Sequence, residues 1–113
     1  MPQTDHTRAL RLLGLAARAR AIVIGTPLIC TALSQGAKGK KPLAVLCAAD
    51  CSPNTQKRLS DRTAFYGVRL TALPLTCAQL AHAIGKKEAL VAAVGVTDEN
   101  LAAAILAALD AHN

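Results

Sequence analysis

Arg18-Ala-Arg-Ala-Ile-Val-Ile-Gly-Thr-Pro-Leu-Ile-Cys-Thr-Ala-Leu, residues 18 to 33, packs a basic pair, a short apolar run, a glycine and a helix start into one stretch. It reads as strand, turn, helix. Gly25 can take backbone angles that other residues resist, Thr26 has a side-chain oxygen suited to an N-cap, and Pro27 fits the first helical position because it has no N–H to leave unpaired. The first N–H groups of such a helix are unsatisfied and carry partial positive charge. With Arg18 and Arg20 close in sequence, the stretch is a candidate seat for an anion such as phosphate.

Outward from there, apolar runs and helical patterns alternate. Residues 5 to 18 place Leu10, Leu13 and Leu15 to Ala17 among Arg8, Arg11 and Arg18, an amphipathic helix with a basic outer face and a cap at Thr4 or Asp5. The short strand at 21–24 is followed by a helix over 26–35 that stops at Gly36. Lys38-Gly-Lys-Lys-Pro42 is a loop by composition. Leu43 to Ala49, bounded by Pro42 and Asp50, reads as a strand covered on both faces. Ser52-Pro53 repeats the cap-then-proline start, and the helix it opens carries Lys57, Arg58, Asp61 and Arg62 outward until Tyr66-Gly67.

A less buried strand at 68–73, a short helix from Cys77 to Ile84 capped by Thr76 and closed by Gly85, a buried strand at 90–96 and a last helix at 98–111 complete the chain. The order αβαβαβαβα predicts an α/β fold, a three-layer α/β/α sandwich on a four-stranded sheet, mostly parallel, forming one domain over residues 1–113.

Composition narrows the function classes. The formal net charge is +6, and residues 1–41 hold Arg8, Arg11, Arg18, Arg20, Lys38, Lys40 and Lys41 against the single acid Asp5. Such a one-sided basic surface fits a polyanionic partner. Only 2% of residues are aromatic, which argues against base-stacking platforms. Cys30, Cys47, Cys51 and Cys77 lack zinc-ribbon spacing and read as small buried hydrophobes, so no metal or other cofactor is expected. The N-terminus has no secretory pattern and no run approaches a membrane span, so the expectation is a cytoplasmic monomer.

Neither a dinucleotide nor a P-loop fingerprint surrounds Gly25. His82, on the exposed or half-buried face of a short alanine-rich helix, reads as an ordinary surface or partly buried histidine rather than a catalytic base. Asp50 reads as organising the turn before Ser52. The expectation is a protein that is not an enzyme.

Leu12-Leu-Gly-Leu-Ala-Ala-Arg-Ala, Gly25 at a strand-to-helix turn, LCAADCSPNT from Leu46 to Thr55, and Leu80-Ala-His-Ala-Ile-Gly-Lys-Lys together resemble the kink-turn RNA-binding family of ribosomal proteins, most of all its small bacterial, YlxQ-type branch. The resemblance runs from about residue 8 to residue 105. It implies a mixed sheet in which the strand at 90–96 runs antiparallel to the others. It also implies structured RNA, such as kink-turns in rRNA, as partner, and association with the ribosome. The implied contacts are Gly25, Thr26, Pro27, Leu28 and Thr31, helped by Lys86, Lys87, Glu88 and Ala89, with Arg18 and Arg20 adding charge.

The chain departs from that family at the reading positions. Members that recognise tandem G·A pairs carry Asn-Glu or similar residues where this chain has Pro27 and Leu28, and a lysine where it has Thr31. Ala21 stands where a basic residue is common. Base-edge readout needs donors and acceptors that proline and leucine lack, so RNA binding with weakened or altered kink-turn specificity is expected. The alternative is a protein-interaction module on the same fold, with Leu28 and Ile29 in an apolar patch. The lysines at 38, 40 and 41 fall at the pole opposite Gly25, because the intervening helix spans roughly 15 Å.

Overall fold

A computed structural model of the chain describes residues 3–34, 41–86 and 89–110. The elements are α1 (Gln3–Arg18), β1 (Ile22–Ile24), α2 (Thr26–Ser34), β2 (Ala44–Ala48), α3 (Pro53–Tyr66), β3 (Arg69–Leu73), α4 (Cys77–Ala83), β4 (Ala93–Val96) and α5 (Glu99–Asp110). The predicted order holds, with α1 beginning at Gln3 rather than from a cap at Thr4 or Asp5. The expected stop at Gly36, and Lys38 and Lys40, lie outside the described residues.

Alternating apolar side chains give each inner strand two buried faces. On β2, Ala44, Leu46 and Ala48 join a core with Leu13, Leu80 and Ile105 from α1, α4 and α5, whereas Val45 and Cys47 meet Ile29, Leu33 and Leu59 from α2 and α3. This alternation follows from the period-two geometry of a strand and accounts for the three layers.

The sheet order is β1-β4-β2-β3. β4 pairs antiparallel with both β1 and β2, and only β2 and β3 pair parallel. The mostly parallel sheet expected from the alternation of elements is therefore corrected to the mixed sheet implied by the family resemblance. The reason is where the chain enters β4. The Ala49 N–H donates to the Leu75 carbonyl and the Ala48 N–H to the Ala92 carbonyl, at 2.7 and 2.8 Å, so the segment from β3 through α4 starts and finishes at the same end of the sheet.

Helix starts mostly follow the sequence reading. The Ser52 hydroxyl accepts the Thr55 N–H at 3.1 Å, with Pro53 as the first helical residue. At α4, Thr76 and Gln79 exchange side-chain to backbone bonds at 2.9 and 3.1 Å, a capping box. The Asp98 carboxylate accepts the Leu101 N–H. α2 differs. The Gly25 carbonyl already accepts the Ile29 N–H, so the cap is Gly25, Thr26 is the first helical residue and Pro27 the second.

After α1 the chain turns sharply through Arg20, whose φ of 59° makes it the only non-glycine at positive φ among the described residues. A side chain there crowds the following carbonyl, which costs about 1–2 kcal/mol. Arg20→Gly is expected to raise stability by about 1 kcal/mol after the greater chain entropy of glycine is set against that relief. A lowered urea midpoint for this variant would contradict the assignment of strain.

Candidate functional site

The site forms where three chain segments reach one end of the sheet. Gly25, with φ of 94°, turns the chain from β1 into α2, and its N–H donates to the Ala93 carbonyl at 3.0 Å. β1 and β2 point the same way with β4 between them, so the helices that follow, α2 and α3, begin side by side at this end, about two strand spacings or 10 Å apart. Both pack on the same face of the sheet.

An open cleft lies between the two helix starts. Gly25, Thr26 and Pro27 form one wall, Asn54, Thr55 and Arg58 of α3 the other, and Leu90 and Ala92 close it from the loop before β4. Its physical character is electropositive: the positive dipole ends of α2 and α3 and the Arg58 guanidinium border the same space. The Thr26 hydroxyl is buried and has no hydrogen-bond partner among the described residues. Satisfying a group of that kind is a specific role for a ligand.

The sequence-predicted residues divide between places. Gly25, Thr26 and Pro27 line the cleft, and Leu28 and Thr31 stand exposed further along the first two turns of α2, Leu28 at 61%. Lys86 and Ala89 are exposed in the loop between α4 and β4, joined by the Ala89 N–H donating to the Lys86 carbonyl. Lys87 and Glu88 lie outside the described residues. Arg18 and Arg20 do not line the cleft. The Ala21 carbonyl accepts the Thr97 N–H at the other end of β1, which sets Arg20 roughly 16 Å from Gly25 along an extended strand. Arg18 lines a different groove, against α4. Lys41 is likewise distant, beside Leu43, whose N–H reaches the Val96 carbonyl.

Asn54, Thr55, Arg58 and Leu90 were not anticipated. The signal for α3 was present: Ser52-Pro53 places a helix start directly after β2, as Gly25 does after β1, and parallel β1 and β2 bring the two starts together. Leu90 was expected inside a buried strand, yet β4 begins at Ala93 and Leu90 is 78% exposed. An apolar run does not reveal where its strand pairing stops.

The same sheet end carries thiols and a carboxylate. Asp50 does not organise the turn at Ser52 as expected. Its Oδ1 accepts the Cys77 N–H at 2.7 Å, linking the end of β2 to the start of α4. Hydrogen bonds from the Cys77 thiol and then its backbone N–H hold the Asp50 carboxyl below the usual carboxylate range. Burial, and then the neighbouring Cys51, pushes the Cys47 thiol up to about 11. A thiol protonated at neutral pH is a poor nucleophile.

One relative, the RNA-binding protein YlxQ of Bacillus subtilis, is 36% identical over 99 residues, covering 88% of this chain and 92% of that protein. The chain belongs to the YlxQ family. The RNA-binding protein YlxQ of Enterococcus faecium is 30% identical over 86 residues, covering 76% of this chain and 79% of its own. Among solved structures, a Bacillus halodurans protein of unknown function superposes with a TM-score of 0.81 at 29% identity, over 91% of this chain and 97% of that one. The Giardia lamblia 15.5kD RNA binding protein shares the fold, with a TM-score of 0.75 at 18% identity over 94% and 85% of the two chains. No family model matches the chain. Membership in the YlxQ family agrees with the branch indicated by the sequence motifs.

Proposed function

We propose that this protein is a non-enzymatic binder of structured RNA, rRNA included, that grips phosphates at the cleft between the starts of α2 and α3 and reads little base sequence. The reading rests on that cleft, where two helix N-termini converge beside Arg58 and a buried, unpartnered Thr26 hydroxyl. The YlxQ relatives are named RNA-binding proteins, which supports it. Gly25, Thr26 and Pro27 supply backbone and apolar contact, Leu28 and Thr31 the flank, and Lys86 and Ala89 a second strip; Arg18 and Arg20 contribute long-range charge. The protein acts as a cytoplasmic monomer that associates with ribosomal particles.

Affinity for a kink-turn RNA is expected to fall about 100-fold between 50 and 200 mM salt if roughly four phosphates are neutralised, and Arg58→Ala to lower the salt slope by about one. Fluorescence anisotropy across a salt series measures both. Undetectable binding at low salt, or affinity indifferent to salt, sinks the proposal.

A second reading has its own observation. Leu28 and Leu90 are strongly exposed at this end of the sheet, while Ile29, expected to share a patch with Leu28, is fully buried. As a protein-interaction module the same surface would recover a stoichiometric protein partner after nuclease treatment.

A further inference from the structure

A groove separate from the RNA cleft runs between α1 and α4. Leu10, Ala78 and Ala83 form its apolar floor, Arg11 and His82 stand on its rim, and it continues along α1 to Arg18. At Gly14 the two helices run close together: a Cβ there would lie 3.4 Å from the Ala83 carbonyl oxygen. Arg8, Arg11, Leu15 and Arg18 follow one another at spacings of three and four, so they share one stripe of α1, and all are exposed. No carboxylate lines the groove among the described residues.

We propose that this groove is a docking site for an acidic amphipathic helix of another protein. Charge and shape select that occupant. A leucine and alanine floor between two helices is the seat that a third helix fills with residues at i, i+3, i+4 and i+7. Arginines along one side then demand carboxylates on the flank of the incoming helix. An RNA backbone would meet the arginines but bury no apolar surface on the floor. A second copy of this chain does not supply the occupant. Asp61 and Asp110 are ion-paired, Asp50 and Asp98 hold backbone N–H groups, and no helix of the sequence carries a row of acids.

The test titrates the 15N-labelled full chain with a synthetic helix of about five turns, leucines on one face and glutamates beside them, and with the same peptide carrying lysine for glutamate. The expected result is amide shifts confined to residues 10–18 and 78–83 with the glutamate peptide. Binding should be at least about tenfold weaker for the lysine peptide and for the variants Arg11→Glu and Ala83→Arg, each checked for an unchanged melting temperature. Three outcomes overturn the proposal: no shifts at millimolar glutamate peptide, equal binding of the lysine peptide, or a folded RNA that shifts the same amides and displaces the peptide. Because the RNA cleft is unaltered in Arg11→Glu, loss of peptide binding with RNA binding retained separates the two surfaces.

Discussion

The triple variant Pro27→Asn, Leu28→Glu, Thr31→Lys is expected to prefer a kink-turn RNA over the same RNA with its G·A pairs replaced by about 30-fold, where the unmodified chain distinguishes the two by only a few-fold. Pro27, Leu28 and Thr31 are exposed on the first two turns of α2 beside the cleft. Proline and leucine offer no donor or acceptor to a base edge, whereas one good bidentate contact discriminates by about 1–3 kcal/mol. The fold should tolerate all three changes, since none of these side chains is buried and a carboxylate near a helix N-terminus is favourable. Competition binding with the paired RNAs provides the measurement. Equal affinity of the variant for both RNAs would mean that α2 does not face the bases, and the assignment of the cleft would fall with it.

Gly95→Val is expected to cost about 3 kcal/mol, a large share of the roughly 5–15 kcal/mol that holds a domain of this kind together. Gly95 sits in the middle of β4, paired with Val23 on one side and Val45 on the other. A Cβ built there already meets Pro42 Cβ at 3.0 Å and Cγ at 3.1 Å, with Ile29 Cγ1 at 3.7 Å. Pro42 is a rigid ring beside the start of β2 and has no rotamer by which to withdraw. The added methyls of valine must therefore push β4 or α2 outward. Urea unfolding should show a lower midpoint with unchanged slope, and combining the variant with Pro42→Ala should recover part of the loss because the two sites touch. Additive costs in the double variant would show that Pro42 is not the obstacle.

Much of this architecture could be read from residue types because the elements are marked twice, by period and by punctuation. Ser52-Pro53 and Gly67 bracket α3, Thr76 and Gly85 bracket α4, and the apolar run through Val45, Leu46 and Cys47 announces a strand with two covered faces. Periodicity is blind to direction, however. Nothing in Val94, Gly95 and Val96 tells which way β4 runs, and the family resemblance carried that information. Local chemistry also misled where tertiary partners intervened. The Thr26 side chain looks like a cap until the Gly25 carbonyl is seen to accept the first helical bond, and Asp50 looks like a turn residue until α4 brings the Cys77 N–H to it. The cleft was half legible. Its α2 wall lies in one contiguous stretch, whereas Arg58 and Leu90 join it only through strand order.

That strand order also fixes when the site can exist. β4, the last of the four described strands in chain order, is the one to which both β1 and β2 are bonded, so until residue 96 is available β1 has no neighbour in the sheet and the Gly25 N–H has no Ala93 carbonyl to meet. A nascent chain halted after α3 carries every residue of α2 and α3 that walls the cleft, and Ile29, Leu33 and Leu59 can already pack together, but β1 is not yet tied to β2 through β4. Pairings between β1 and β4, whose partners lie about seventy positions apart, make folding depend on late, distant contacts. The cleft thus depends on β4, and truncations that remove it should leave β1 and the turn at Gly25 unanchored to the sheet that carries α3.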